Sequence, residues 1–223
     1  MDTYIVIVAG GKGSRMKASL PKQFLEIDGI PLLYHTLKNF HAFNPRFRFV
    51  LVLPRESIPF WKEIVKKMEL KIPHKTVAGG ATRAQSTLNG LAQVPDESMV
   101  AVHDGVRPLV SHDTISRCLE TAMEKGNAIP VWEVYETLRS TDDSSSRAVD
   151  REKFRAVQTP QVFHASLLKR AFEQFGTQDF TDEASMVEKM GIKINLVPGN
   201  RENIKITDSF DLKLAEFLLQ VKS

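Results

Sequence analysis

Tyr4-Ile5-Val6-Ile7-Val8-Ala9-Gly10-Gly11-Lys12-Gly13-Ser14-Arg15-Met16 decides the fold. From Tyr4 to Ala9 the run is apolar without a break, where a strand wetted on one face would alternate. It therefore predicts a strand buried on both faces, as in a parallel sheet covered by helices. The run stops at three glycines within four positions, Gly10, Gly11 and Gly13. Such a loop lets the backbone pass close to a phosphate chain with its N–H groups turned inward. It also falls at the carboxyl end of the first strand, the edge at which open α/β sheets bind ligands.

Outward from this stretch the buried-strand pattern recurs. Phe49-Val50-Leu51-Val52-Leu53, closed by Pro54, is a second run, Met99-Val100-Ala101-Val102-His103 a third, and Ala128-Ile129-Pro130-Val131 begins a fourth. Between them Leu33, Thr36, Leu37 and Phe40 share one helical stripe, as do Trp61, Ile64, Val65 and Met68. Ile115, Leu119, Ala122 and Met123 make another. Phe210, Leu214, Ala215 and Leu218 make a last one, with Asp208 or Ser209 as N-cap. Strands alternating with helices predict an α/β protein: a single Rossmann-like domain over 1–223, with a mainly parallel sheet and helices on both faces.

One segment breaks the alternation. Trp132 to Arg155 carries no helical stripe, and Asp142-Asp143-Ser144-Ser145-Ser146 in its middle reads as a turn. Val131 to Arg139 and Ala148 onward are expected to pair as a protruding β-hairpin arm over about 132–155. A two-stranded arm is marginal in water unless covered. It either folds back on its own sheet or packs against a second subunit, and dimerisation is the expectation adopted.

Composition excludes several classes. The 223 residues carry 30 Lys and Arg against 27 Asp and Glu, a net charge of +3 with no basic run, so no nucleic-acid partner is expected. Cys118 is the one cysteine, which excludes a disulfide within the chain and argues against a structural zinc site. No apolar stretch approaches the roughly 20 residues that cross a bilayer, and the N-terminal run lacks the basic flank of a signal peptide. No membrane partner and a cytoplasmic location are expected.

The glycine loop is neither of two common phosphate loops. A P-loop needs Gly-Lys-Ser/Thr five residues after its first glycine, and Gly10 plus five is Arg15. The dinucleotide fingerprint fails because Met16 stands where its third glycine belongs. Taken alone, the loop reads equally well as a strand-to-helix turn flanked by solvated Lys12, Arg15 and Lys22. Other strand ends favour a site. Ala78-Gly79-Gly80-Ala81-Thr82-Arg83 leads into a helical stretch with Ser86, His103-Asp104-Gly105-Val106-Arg107-Pro108 follows the third strand, and Asn203-Ile204-Lys205 precedes the last helix. Acidic and basic residues converging on one sheet edge suit a polyanion.

These blocks, with Val149-Asp150-Arg151, Gln158-Thr159-Pro160-Gln161 and Thr181-Asp182-Glu183-Ala184-Ser185, run in an order that resembles the 2-C-methyl-D-erythritol 4-phosphate cytidylyltransferase family of nucleotidyltransferases. The resemblance implies an enzyme of the non-mevalonate isoprenoid route. It would convert CTP and methylerythritol phosphate to the CDP-alcohol and pyrophosphate. It implies Arg15 and Lys22 as stabilisers of the transferring phosphoryl group, and Lys205 and Arg151 as residues orienting the attacking phosphate, Arg151 coming from a neighbouring subunit of a homodimer. Ala9, Gly10, Gly11, Lys12 and Gly13 would hold CTP, Gly79, Gly80 and Ser86 would read the cytosine, and Asp104 would bind ribose or substrate hydroxyls. Arg107, Thr159 and Thr181 would line the substrate pocket. Mg²⁺ would be carried mainly by the triphosphate and water, with no dedicated protein cage. The rival reading, a ribitol 5-phosphate cytidylyltransferase, shares the loop and is the alternative. Glu136 and Thr137 depart from the family pattern and carry no assignment.

The same residues have plainer readings. Asp104 and Arg107 pair with each other on a surface; Thr181-Asp182 is an N-cap with Glu183 favourable in the first turn. His103 ends a strand rather than binding metal, Cys118 sits in the core, and Trp61 and Trp132 pack.

Overall fold

The computed structural model describes residues 1–10, 20–142, 144–176 and 180–222. β1 (Thr3–Val8) is the predicted first strand. After a 3-10 turn at Lys22–Phe24 come the short β2 (Glu26–Ile27) and β3 (Ile30–Pro31), paired with each other, and α1 (Leu32–Phe43). Then follow β4 (Arg48–Leu53), α2 (Ile58–Lys67), β5 (Lys75–Ala78), α3 (Arg83–Leu91), β6 (Met99–Asp104) and α4 (His112–Lys125). β7 (Asn127–Glu133) leads into the hairpin of β8 (Arg139–Thr141) and β9 (Ser146–Ala148), and the chain returns along β10 (Arg155–Val157) and β11 (Gln161–His164). α5 (Ala165–Phe175), α6 (Glu183–Lys189), β12 (Leu196–Pro198) and α7 (Ser209–Lys222) complete it.

The main sheet runs β10-β7-β11-β6-β1-β4-β5, with β12 paired to β7. β4, β1, β5 and β6 are parallel, whereas β11 runs antiparallel to both β6 and β7. The chain builds outward from β1 through β4 to β5 and then jumps to β6 on the other side of β1. That reversal opens a crevice at the carboxyl ends of β1 and β6.

Residue parity in β1 shows why its sequence is continuous. Ile5 and Ile7 pack with Leu33, Leu37 and Phe40 of α1 and Cys118 of α4, while Val6 and Val8 pack with Leu91 of α3 and Leu168 of α5. Both faces are dry, so neither tolerates a polar residue. α7 covers a third, smaller cluster around Ile27, Leu32, Val106 and Ile206.

Two helical stripes differ from expectation, that of α4 at one residue and that of α7 at two, Phe210 and Leu214. Met123 is exposed although Ile115, Leu119 and Ala122 beside it are buried, and Phe210 is exposed at the first turn of α7. The stripe of α7 that meets the core passes through Leu212, Ala215, Leu218 and Leu219 instead. Asp208 caps that helix, its Oδ1 accepting from the N–H groups of Phe210 and Asp211 at 2.9 and 3.0 Å. β11 and α5 carry no expectation from the sequence. The arm is present in two parts: β10 pairs with β7 at the base, and β8 with β9 at the tip.

Candidate active site

A cavity of about 550 Å³ opens at the carboxyl edge of the sheet. Ala9 and Gly10 after β1, Pro54 after β4, Gly79 and Gly80 after β5, and Asp104 at the end of β6 all line it. Lys22, Arg83, Ser86 and Lys205 complete its polar wall. Each strand delivers its last residue to the same edge because parallel strands end together.

Asp104 is the electrostatic centre. Its Oδ2 lies 3.0 Å from Lys205 Nζ and 3.3 Å from Arg107 Nε, and its Oδ1 lies 3.5 Å from Arg83 Nε. Burial alone would push its pKa up, but Arg83, Lys205 and Arg107 outweigh that and hold the carboxyl well below the usual carboxylate range. The Asp104–Arg107 pair is thus part of a buried cluster and not a surface bridge. For Arg83 burial opposes the charge, yet Glu183 and Asp104 raise its pKa above the ordinary arginine value. Burial wins at Arg107 and lowers its pKa.

The second glycine stretch is shaped by α3. Thr82 caps that helix, accepting from Gln85 N–H at 3.1 Å, so its free N–H groups and positive end face the cavity. The Ser86 hydroxyl donates to Thr82 O at 2.9 Å and accepts from Gly80 N–H at 3.1 Å. A Cβ at Gly79 would stand 2.9 Å from Ser86 Oγ, and one at Gly80 would collide with Gln85 Cγ at 2.0 Å. A side chain at Gly79 would displace the Ser86 hydroxyl from the cavity wall, and one at Gly80 would displace the Gln85 side chain.

Beneath the cavity lies a frame that the sequence motifs build jointly. Asp104 N–H donates to Thr159 Oγ1 at 3.2 Å, and that hydroxyl is 3.0 Å from His103 Nδ1. His103 Nε2 is 3.0 Å from Arg107 O, which only accepts, so the ring carries its proton on Nε2 and takes the Thr159 hydroxyl proton at Nδ1. Burial lowers the His103 pKa to about 4, which keeps the ring neutral. Thr159 is therefore buried under the strand end and is absent from the cavity wall. Asn203 ties the same layer, donating to Thr159 O at 2.8 Å, next to Lys205. Arg107 also points into this layer, donating to Asn203 O at 2.7 Å.

The Thr-Asp-Glu stretch is bound to the Thr-Pro-Gln stretch. Gln161 donates to Asp182 Oδ2 at 2.8 Å and accepts from Ala184 N–H at 3.0 Å, while Asp182 Oδ1 caps α6 at Ser185 N–H, 3.0 Å away. Glu183, buried, accepts both terminal nitrogens of Arg83 at 2.7 and 3.0 Å and the Thr87 hydroxyl at 2.8 Å. Arg83 and Glu183 are the residues that sequence reasoning passed over. Arg83 closes a quoted glycine motif, but nothing local marks Glu183 as more than a first-turn acid. Thr181 is exposed and does not line the cavity.

Arg151 lies elsewhere in the chain, at the base of the arm, where its guanidinium donates to Tyr135 O. With Glu133, Val134, Tyr135, Glu152 and Arg155 it lines a second cavity of about 410 Å³. Gly11, Lys12, Gly13 and Arg15 lie outside the described residues, as does any account of how they meet Gly10.

A doubly wound sheet whose carboxyl edge carries glycine turns, a helix N-terminus and several cations around one aspartate defines a nucleotide-binding α/β protein built for polyanions. Comparison with known proteins is specific. The profile of the 2-C-methyl-D-erythritol 4-phosphate cytidylyltransferase family matches residues 3–221. A protein of that name from Bacteroides fragilis is 52% identical over 214 residues, covering 96% of this chain and 98% of its own. Another from Bacteroides thetaiotaomicron is 49% identical over 219 residues, covering 98% and 100%. The crystal structure of 2-C-methyl-D-erythritol 4-phosphate cytidylyltransferase from Thermus thermophilus superposes with a TM-score of 0.82 at 33% identity, covering 99% of this chain and all of that one. The chain belongs to the 2-C-methyl-D-erythritol 4-phosphate cytidylyltransferase family, and is a nucleotidyltransferase.

Proposed function

We propose that the protein transfers the cytidylyl group of CTP to 2-C-methyl-D-erythritol 4-phosphate, giving 4-diphosphocytidyl-2-C-methyl-D-erythritol and pyrophosphate in the non-mevalonate isoprenoid route. The observation that carries this reading is the cavity at the carboxyl edge, where Lys22, Arg83 and Lys205 stand among glycine turns around Asp104. A phosphate oxygen of the polyol attacks the α-phosphorus of CTP, the bond to the bridging oxygen breaks, and pyrophosphate leaves opposite the new bond. The attacking oxygen is already ionised at neutral pH, so no protein nucleophile or strong base is needed. Catalysis then rests on offsetting charge repulsion and holding the line of attack.

In this reading Lys22, with Arg15, faces the charge developing on the transferring phosphoryl group, and Lys205 orients the incoming phosphate. Ala9, Gly10, Gly11, Lys12 and Gly13 hold the triphosphate through backbone N–H groups and the Lys12 charge. Gly79, Gly80 and Ser86 face the base, and in this reading select cytosine over larger purines. Asp104 meets ribose or substrate hydroxyls, and Arg107 and Thr159 support it from below. Thr181 stays an outer contact for the substrate.

Mg²⁺ fits this donor set. Among the described residues no three His, Cys, Asp or Glu side chains gather as a metal cage, and the carboxylates on the cavity wall are Asp104 and Glu56. An ion that keeps several waters and binds triphosphate oxygens asks for no more than that. Its chemistry would be neutralisation of phosphate charge.

The arm supports a homodimer in a single-domain chain. Tyr135, Phe154 and Val157 on and beside it are exposed apolar groups, and a second copy covering them would carry Arg151 to its neighbour's cavity. Among the described residues no helix is long and apolar enough to cross a membrane, and we place the enzyme in the cytoplasm. The test is pyrophosphate release with CTP and Mg²⁺, offering methylerythritol 4-phosphate and ribitol 5-phosphate in parallel. Turnover with the first is expected; preference for the second would move the reaction to another polyol phosphate.

A further inference from the structure

Glu183 spends its whole carboxylate on α3. Oε1 accepts from Arg83 Nη1 and from the Thr87 hydroxyl, and Oε2 accepts from Arg83 Nη2, all between 2.7 and 3.0 Å. The guanidinium is planar and its donors form a rigid fork. With both terminal nitrogens pinned, Nε alone remains to face Asp104, at 3.5 Å from Oδ1. Asp104 Oδ2 is thereby left to Lys205 and Arg107. Glu183 is in turn held firmly, because Gln161 and the Asp182 cap fasten the first turn of α6.

Without the Glu183 charge, the Arg83 fork loses the carboxylate that holds both its terminal nitrogens and is drawn to Asp104, the other carboxylate it faces. A two-pronged Arg83–Asp104 pair would occupy both carboxylate oxygens and compete with Lys205 for Oδ2. We propose that Glu183 is a positioning residue for the transfer reaction: by gripping the terminal nitrogens of Arg83 it keeps that fork off Asp104 and so leaves Asp104 to place Lys205. The inference rests on the cytidylyltransferase reading of the cavity and assigns the Thr-Asp-Glu stretch a task within it. A purely structural role, tying α6 to α3, is the competing account.

The experiment is steady-state kinetics of wild type, Glu183→Gln, Arg83→Met, the double variant and Val187→Ala, which trims a buried apolar side chain of the same helix and removes no charge or hydrogen bond. Wild type is expected to turn over CTP with methylerythritol 4-phosphate; failure there overturns the functional reading itself, and the inference with it. Given wild-type turnover, Glu183→Gln should lower kcat/KM for the polyol phosphate about 10-fold or more, the scale of a misplaced orienting group. Its Kd for CTP should change less. The double variant should match Arg83→Met within about 2-fold, because the effect of Glu183 passes through Arg83. Val187→Ala should lower Tm and leave kcat/KM unchanged below the transition. Should Glu183→Gln not fold, Glu183→Asp keeps the charge and retracts it by one methylene; a loss of about 3-fold or more is then expected. The inference is overturned by a Glu183 variant with wild-type kcat/KM, by an equal loss in Val187→Ala, or by Glu183 and Arg83 losses that multiply.

Discussion

The ammonium of Lys205 stands 3.0 Å from Oδ2 of Asp104, with Arg83 and Arg107 facing the same carboxylate. One anion organises three cations, Lys205 and Arg83 on the cavity wall and Arg107 beneath it. Glu183 offsets part of that charge at Arg83, and the surplus left by three cations against two carboxylates is what an incoming triphosphate and a second phosphate would meet.

Replacing Asp104 by Asn leaves that cluster without its counter-charge. Breaking a buried pair costs about 3–5 kcal/mol, less here because Lys205 is partly solvated, so a loss of about 2 kcal/mol or more in urea unfolding is expected. In the wild type the carboxyl pKa is depressed on folding. Its stabilisation is therefore present above the unfolded value of about 3.9 and lost as pH falls below it. Asp104→Asn should flatten this steep acid limb; an unchanged limb would count against the cluster.

His103 acts at a higher pH. The ring is buried neutral with its pKa lowered to about 4 from the ordinary 6.5. A depressed folded pKa means the unfolded chain takes up the proton first, so stability present above pH 6.5 is lost as pH falls toward 4. The contribution at stake is roughly 3 kcal/mol. Thermal unfolding followed from pH 7 to pH 4.5 should show Tm falling through this window in wild type and a shallower fall in His103→Gln. Parallel curves would remove His103 as the cause.

Gln23 is buried beside Lys22, and neither amide atom has a hydrogen-bond partner among the described residues. An unsatisfied buried amide costs about 1–3 kcal/mol. Gln23→Met, similar in volume, should raise Tm by about 2–4 °C, the shift that roughly 1 kcal/mol produces in a chain of this size. A lower Tm would show that the amide is satisfied in solution.

Lys22→Ala should lower kcat about 100-fold or more, the scale of losing one charged contact to a developing oxyanion. Arg151→Ala should impair turnover while sparing CTP binding, because Arg151 lines the arm cavity and not the main one. Mixed after subunit exchange, the two inactive variants should recover activity. Absence of recovery, with mixed dimers demonstrated by mass, would mean that the arm serves its own subunit.

How much of this was legible beforehand depends on the range of each interaction. The parity of Ile5, Val6, Ile7 and Val8 announces burial on both faces within one strand, and the glycines after it mark the ligand edge. The Asp104, Arg107 and Lys205 blocks read as strand-end polar groups, and they do converge. β11 was not legible, since Val162 and Phe163 are too short an apolar run to distinguish strand from helix and gain their partners only from β6 and β7. Thr159 read as a pocket residue, yet its hydroxyl is held by His103, 56 residues away in sequence.

The sequence by itself determined the layered α/β architecture and the carboxyl-edge site, because apolar periodicity and glycine spacing are local properties of the chain, while the family entered as a resemblance carried by the order of its motif blocks. The tertiary structure alone decided that Glu183 belongs to Arg83, a hundred residues distant, and that Arg107 and Thr159 brace Asp104 from beneath. A buried charge must find its partner through space, and which partner it finds is set by how α6, α3 and β6 pack against one another.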